Sequence, residues 1–472
     1  MNLPNINEAR KRTKNPVNIN YLADEKNNIV LKAKHYFLRT YGCQMNVHDS
    51  EEIKARLENL GLENTEELEQ ADVVVLNTCA IRENAHDKVF GYLGRCKHLK
   101  ESKPDLLVVL CGCMAQEEGV ANEIKTKHPY VDIVIGTHNL YELEDEIIKH
   151  LNNHHQEINV LSYEGEVYEN IPYKRDSHIK AWVNIMYGCD KFCTYCIVPY
   201  TRGKQRSRLS KDIIKEVTKL VSEGYQEVTL LGQNVNAYGK DLSNELTFAE
   251  LLAAVSKTGI PRLRFVTSHP WDFTPEMIST IAKYPNIMPY IHLPLQSGSN
   301  RILKLMNRRY TKEEYLKLFH SMKDSIPNVA ITTDIIVGFP NETDEDFQDT
   351  LDVVNECRYD GAYTFIFSKR EGTPAAKMTD DTPLSLKEKR LAKLNELVNS
   401  YSLKHNQEYL NKIVPVLIEG VSEKDPTKAF GYTDTMKLVN VANGLNYIGQ
   451  IVNVKITEAK SFSLDGSLES TK

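Results

Sequence analysis

Short apolar runs alternate with amphipathic stretches of helical period along most of this 472-residue chain. Between residues 33 and 150 the runs YFLRTY, DVVVLNT, LLVVLCG and VDIVIGT are almost wholly apolar, and enough chain separates them for crossover helices. Strands covered on both faces of a parallel sheet read this way. The segment is expected to form an open parallel α/β sheet domain. Between about 175 and 380 six further strand-like runs follow: AWVNIMY, EVTLLGQ, RLRFVTS, YIHLPLQ, ITTDIIVGF and AYTFIFS. The stretches between them carry one apolar face. Ile213, Ile214, Val217, Leu220 and Val221 mark such a face in KDIIKEVTKLVSEG, and Phe347, Leu351, Val354 and Cys357 mark another. Six units of this kind predict a partial (β/α)6 barrel with its chemistry at the carboxyl ends of the strands. LKEKRLAKLNELVNSYSLKHN predicts a charged connector helix docking through Leu391, Leu394, Leu397, Val398 and Tyr401. From 407 to 472 the pattern changes to period two in VPVLIEGV, MKLVNVA and GQIVNVKITEA, with Gly, Asp-Pro and Asn-Gly between them. That predicts a small antiparallel β-barrel. Residues 1–32 are polar and patternless and are expected to be disordered. The fold class is α/β with an all-β C-terminal appendage.

Against this frame one loop stands out. Cys189, Cys193 and Cys196 follow the first strand of the expected barrel, spaced C-x3-C-x2-C. Three thiolates so close can hold three corners of an iron–sulfur cube, with no neighbouring fourth cysteine to close it. Structural zinc usually takes four ligands as two separated pairs, which this triplet does not supply. An iron left open can bind a cofactor or substrate. In the N-terminal segment Cys43, Cys79 and Cys113 each follow a strand-like run. The carboxyl edge of an open α/β sheet gathers such loops into one crevice, so these three can meet. They too leave one iron open; a relay cluster would more simply have four cysteines. Cys96, Cys111 and Cys357 lie in periodic apolar settings and read as core residues.

Composition narrows the partners. The net charge of −6, from 58 basic and 64 acidic residues, excludes a protein that grips nucleic acid over its whole surface. Local clusters remain, and the clearest is TRGKQRSRLSK, with Arg202, Lys204, Arg206 and Arg208 directly after the cysteine loop. It is a candidate phosphate contact, although a charge cluster is more often a solvated face. A second cluster holds Arg301, Lys304, Arg308, Arg309 and Lys312. No run approaches the roughly 20 apolar residues of a membrane helix, and no signal-peptide pattern opens the chain. A cytoplasmic protein without membrane contact is expected. Nine cysteines there argue for metal or catalysis over disulfides.

The C-x3-C-x2-C loop resembles that of the radical S-adenosylmethionine (SAM) enzymes. YGCQMNVHDSE, NTCAIRENA and CGCMAQ resemble the methylthiotransferase branch of that family. The C-terminal barrel resembles its TRAM domain, and the likeness runs from about residue 33 to the end. It implies two [4Fe-4S] clusters, one on Cys189, Cys193 and Cys196, the other auxiliary on Cys43, Cys79 and Cys113. It implies SAM on the open iron of the first, cleaved to a 5′-deoxyadenosyl radical, while another SAM methylates sulfur carried by the second. Tyr195 matches the family's aromatic beside the adenine of SAM. Gln233, Ser268, Gln296 and Asp334 end expected strands on the side where SAM and substrate must lie. Arg202, Lys204, Arg206 and Arg208 are the candidate RNA contacts. The domains implied are 33–150, the methylthiotransferase N-terminal domain; 175–406, the radical-SAM core; and 407–472, TRAM. GCQMN and CTYCIVPYTRG resemble the branch that acts on isopentenylated adenosine of the tRNA anticodon stem-loop. The expected product carries a methylthio group at C2 of the base at position 37. Such an enzyme implies a flavodoxin- or ferredoxin-like electron donor and a sulfur-supplying system. Branches acting on threonylcarbamoyl-adenosine or a ribosomal-protein aspartate remain alternatives, as does a non-enzymatic iron–sulfur RNA-binding protein or redox sensor.

Overall fold

The structure, a computed structural model, describes residues 3–5, 21–23, 30–80, 83–162, 167–169 and 171–469. The chain divides into two compact units. One comprises Met1–Asp176, Met186–Phe192 and Cys196–Arg208; the other comprises Ser177–Ile185, Cys193–Tyr195 and Leu209–Lys472.

The first unit is built on six parallel strands: β1 (His35–Thr40), β2 (Glu63–Asn64), β3 (Val73–Thr78), β4 (Leu107–Gly112), β5 (Ile133–Ile135) and β6 (Glu157–Asn159). Their spatial order is β2-β1-β3-β4-β5-β6. Helices α1 (Gln44–Asn59), α2 (Glu83–Ser102), α3 (Glu118–Lys127) and α4 (Leu143–Asn153) supply the crossovers. Every residue of β3 and β4 is buried. One face packs Val74, Leu76, Val108 and Leu110 with Val89 and Leu93 of α2; the other packs Val73, Val75, Val109 and Cys111 with Ile53 and Leu57 of α1. Burial on both faces is why these strands are continuously apolar in sequence. The two edge strands, β2 and β6, are short and polar, so period and hydropathy do not announce them. Most of the 1–32 extension expected to be disordered lies outside the described residues. Within it, Tyr21–Ala23 forms a strand paired in parallel with Val167–Glu169, so this tripeptide departs from that expectation.

The second unit carries the six expected barrel strands: β7 (Lys180–Asn184), β8 (Glu227–Leu231), β9 (Arg262–Phe265), β10 (Tyr290–His292), β11 (Ala330–Val337) and β12 (Gly361–Ile366). All pairings are parallel, in the orders β9-β8-β7 and β10-β11-β12, and a bridge from Leu263 to Ile287 spans the interval. Helices α5 (Ser210–Ser222), α6 (Phe248–Ser256), α7 (Pro275–Lys283), α8 (Lys312–Ser325) and α9 (Asp344–Cys357) lie between them. α5 buries Ile213, Val217 and Leu220 of the face read from the sequence, with Ile214 and Val221 at its half-buried margin, and α9 buries Phe347, Leu351, Val354 and Cys357 as read. The connector helix α10 (Leu384–Gln407) buries Leu394 and Val398.

The C-terminal segment closes into a barrel of β13 (Ile413–Val421), β14 (Lys428–Thr433), β15 (Leu438–Ala442), β16 (Ile451–Ala459) and β17 (Leu464–Leu468). The order around it is β13-β14-β15-β17-β16. The expected antiparallel pairing holds except between β15 and β17, which run parallel. β14 and β17 carry interior glycines and give a weak strand signal. The barrel requires them: a Cβ on Gly431 would lie 2.1 Å from the Leu417 carbonyl oxygen.

Candidate functional site

In the first unit the strand order reverses between β1 and β3, the switch point where open α/β sheets bind ligands beyond their carboxyl edge. Cys43 follows β1, Cys79 follows β3 and Cys113 follows β4. Backbone geometry draws them together. Gly42 has φ +125°, and a Cβ there would lie 2.6 Å from Cys79 Cβ. Gly112 has φ +92°, with Thr78 O only 2.5 Å from where its Cβ would be, and the Cys113 amide donates to that same carbonyl at 2.9 Å. Glycine is the residue that takes such angles and approaches without strain. Asn46 Oδ1 lies 3.9 Å from both Cys43 Sγ and Cys113 Sγ. Its amide nitrogen donates to Tyr41 O and Thr78 O, tying the first cysteine loop to the second. Thiols around a single zinc ion lie about 4 Å apart. Among the described residues no group of His, Cys, Asp or Glu is gathered for a single ion. Three cysteines at one sheet edge beside a buried guanidinium are a donor set that suits an anionic inorganic core.

That guanidinium is Arg202. It donates from Nε to Cys113 Sγ at 3.2 Å, and from Nη2 to Asn46 Oδ1 at 3.0 Å and Asp49 Oδ2 at 2.5 Å. Burial alone would lower it, but Asp49 and the thiols of Cys113 and Cys43 hold it firmly protonated. Burial pushes the Cys113 thiol up to about 12, with Arg202 pulling the other way.

The expected basic surface patch is therefore corrected. Arg202, Arg206 and Arg208 are only 6%, 4% and 5% exposed. Arg208 grips Glu169 through two bonds of 2.9 and 2.6 Å, and Arg206 lies over the Tyr187 ring. Lys204 is half-buried. The three arginines are interior wiring of the first unit; Arg202 and Arg208 meet carboxylates, Asp49 and Glu169, that lie far off in sequence and that spacing does not reveal. The second cluster disperses likewise. Arg301 bonds Asp346, Lys312 pairs with Asp349 at 2.9 Å, and Arg309 lies over Trp271.

The second cysteine loop follows β7. Cys189 and Cys196 are half-buried and Cys193 is buried. The Cys189 amide donates to Gly203 O at 3.1 Å. Phe192 takes φ +49°, a strained angle for a bulky side chain, held by edge-on packing against Tyr200. In the second unit Thr194 donates from N to Met306 O and from Oγ1 to Leu305 O, and accepts from the Ala375 amide. Arg308, 6% exposed, donates from Nη1 to Cys193 Sγ at 3.5 Å. Sequence reading grouped Arg308 with surface charge and missed this role; nothing in its neighbours signals it.

Two more strained angles fall at carboxyl ends of barrel strands: Thr267, past β9, at φ +66°, and Gln296, past β10, at φ +70°. Strain of this kind clusters at functional sites. Of the residues expected to touch a cofactor, Tyr195 packs edge-on against Phe339. Gln233, just past β8, has both amide ends buried without a hydrogen-bond partner, as a side chain awaiting a polar ligand would. Ser268 is occupied, its hydroxyl donating to His292 O. Gln296 pairs through its backbone with Asp334 and Ile336. Asp334 Oδ2 lies 3.2 Å from His292 Nε2, whose Nδ1 meets Thr332 Oγ1 at 3.0 Å. His269 caps a turn by accepting from the Trp271 amide. Cys96, Cys111 and Cys357 are buried in apolar packing, as expected, and burial raises each thiol.

Comparison with known proteins agrees with this layout. Residues 183–354 match the radical SAM superfamily, residues 35–136 match "Uncharacterized protein family UPF0004", and residues 407–468 match the TRAM domain. Among solved structures, the radical SAM methyltransferase TsrM from Kitasatospora setae superposes with TM-score 0.52 at 12% identity, covering 73% of this chain and 74% of that one. That likeness is one of fold. The class is thus a radical SAM protein with an N-terminal α/β domain and a C-terminal barrel. The chain is also 53% identical over 467 residues to the tRNA-2-methylthio-N(6)-dimethylallyladenosine synthase of Staphylococcus epidermidis, covering 98% of this chain and 91% of the relative. The enzyme of that name from Staphylococcus saprophyticus is likewise 53% identical over the same coverage. The chain belongs to the tRNA-2-methylthio-N(6)-dimethylallyladenosine synthase family.

Proposed function

We propose that this protein adds a methylthio group to C2 of N6-isopentenyl (dimethylallyl) adenosine at tRNA position 37. The observation that carries the reading is the pair of cysteine triads, one following β1, β3 and β4 and the other in the loop that follows β7 in sequence, with a buried arginine on Cys113 and another on Cys193. Cys189, Cys193 and Cys196 hold one [4Fe-4S] cluster; Cys43, Cys79 and Cys113 hold the other. When loaded with clusters and SAM, the protein has what the conversion requires: a radical that can take hydrogen from C2, and a methylated sulfur to replace it. The C2 hydrogen is not acidic, so a general base of ordinary strength would not serve. Gln233 offers its unpaired amide to SAM, with Tyr195 and the strand ends at Ser268, Gln296 and Asp334 lining the same end of the barrel strands.

The tRNA meets the protein through the anticodon stem-loop, whose bases unstack cheaply and can be splayed into a pocket. The TRAM-matched barrel at 407–468 is the element that holds the RNA, a reading supported by the burial of Arg202, Arg206 and Arg208 in the other candidate patch. A flavodoxin- or ferredoxin-like protein supplies electrons, and a sulfur-supplying system restores the sulfur. Such a substrate places the work in the cytoplasm. Among the described residues no helix is long and apolar enough to cross a membrane.

The test is anaerobic reconstitution, iron analysis, and incubation with SAM, reductant and an isopentenylated anticodon stem-loop. About eight irons per chain are expected for two cubes, with 5′-deoxyadenosine and the methylthiolated base as products. Cys193→Ala should abolish 5′-deoxyadenosine while about four irons remain. Continued SAM cleavage in that variant would overturn the assignment of the radical site. Product on threonylcarbamoyl-adenosine or on ribosomal protein alone would overturn the substrate.

A further inference from the structure

In each cysteine triad a buried guanidinium bonds a sulfur, Arg202 on Cys113 and Arg308 on Cys193, and the two arginines are wired differently. Arg202 shares its donors among Cys113 Sγ, Asn46 Oδ1 and the carboxylate of Asp49. Its positive charge is largely balanced by Asp49, which is 13% exposed at the side chain. Arg308 donates to Cys193 Sγ at 3.5 Å, to Pro294 O at 2.9 Å and to Tyr310 Oη at 3.0 Å. The Tyr310 hydroxyl in turn donates to Leu295 O at 2.9 Å. Among the described residues no carboxylate bonds Arg308. In the cluster-loaded protein the sulfur of Cys193, as a cluster ligand, would carry the facing negative charge.

Reduction adds one negative charge to a cluster. A cation buried against a ligand sulfur, and an N–H bond to that sulfur, both favour the reduced form. In a water-poor site the effect of charge is weakly screened. Sequence gives no hint of it, since both residues sit in runs that read as surface charge.

We propose, resting on the two-cluster reading above, that Arg202 and Arg308 are positioning residues that raise the reduction potentials of the auxiliary and radical-generating clusters respectively, each acting on its own cluster. Because Asp49 offsets Arg202, the Arg308 effect is the larger. Asp49 itself works in the opposite direction on the auxiliary cluster.

The test is an EPR-monitored redox titration of the anaerobically reconstituted full chain. Each cluster is read alone after the other triad is changed to alanine. Arg308→Gln is expected to move the radical-site potential negative and leave the auxiliary one in place. Arg202→Gln should move only the auxiliary potential negative, and by less. Asp49→Asn should move the auxiliary potential positive, a sign that lost packing would not give. Should a glutamine variant fail to assemble, Arg202→Lys and Arg308→Lys keep the charge but lose the fork, and should give smaller shifts of the same sign. Fully loaded variants with unmoved potentials, or a shift at the other cluster, would overturn the proposal. So would failure of either triad to bind iron, which would overturn the two-cluster reading as well. Shifts as expected in a protein that never methylthiolates the stem-loop would uphold this inference and overturn the function alone.

Discussion

Arg264 Nε donates to Glu227 Oε2 at 2.7 Å, joining the neighbouring strands β9 and β8 through a pair that is almost wholly buried. The remaining guanidinium nitrogens donate to Asp434 O at 2.7 Å and Thr433 O at 2.8 Å. Arg262, two residues earlier, donates to Tyr432 O and Pro415 O. Two arginines of one barrel strand therefore hold the C-terminal barrel by its backbone carbonyls.

Replacing Arg264 with Leu leaves Glu227 charged, buried and unpaired, and two carbonyls unmet. A loss of about 3–5 kcal/mol is expected, measured by urea unfolding. Limited proteolysis should then cut between the connector helix and the C-terminal barrel. Unchanged stability and protection would mean that the barrel docks without this pair.

Gly42→Ala places a methyl group at a positive φ against Cys79. About 1–3 kcal/mol of strain is expected, together with displacement of the cysteine it meets. Iron analysis should fall from about eight to about four per chain, with 5′-deoxyadenosine production retained. A full complement of iron would show that the Cys43–Cys79 spacing is dispensable.

Gln233→Leu removes two buried polar ends that have no partner. Burying an unpaired polar group costs about 1–3 kcal/mol, so the ligand-free variant should be at least as stable as the parent. SAM affinity, by equilibrium dialysis, should weaken by about tenfold for about 1.4 kcal/mol lost. A destabilised variant that binds SAM normally would assign Gln233 to packing.

Asp346 gives a pH signature. Burial pushes its carboxyl up, but hydrogen bonds from Arg301, Ser299 and Thr343 outweigh this and bring it down from 3.8 to about 2. A depressed carboxyl contributes stability that is present above the unfolded value and is lost as pH falls through the folded one. The group therefore supplies about 2 kcal/mol, lost between about pH 4 and pH 2. Asp346→Asn should remove that part of the acid slope in thermal melts. It should also loosen α9, whose N-terminal capping box pairs Thr343 with Asp346.

The barrel strands were legible because period, length and turn residues all agree for β7 to β12. The helix faces of α5 and α9 were legible for the same reason. The edge strands β2 and β6 were not, being too short and polar to carry a pattern. β14 and β17 were hidden by Gly431 and Gly466, which lower strand signal yet are needed where backbones close on one another. In the site, the cysteine loop could be read because its three thiols are neighbours in sequence. Gln233 was legible only as a polar residue at a strand end; its lack of a partner is a fact of packing.

Sequence alone determined the alternation of strands and helices, the change to period two after the connector helix, and the six cysteines that end up beyond strand ends. These are local properties, set by the side chains of a few adjacent residues. Tertiary structure decided that Cys43, Cys79 and Cys113 lie at one sheet edge around Asn46, where the strand order reverses between β1 and β3. It also decided that Arg202 is interior. A guanidinium's position depends on whether a counter-charge reaches it, and Asp49 comes from 153 residues away. No local pattern encodes an encounter across that distance, because it is made by the folding of the whole sheet.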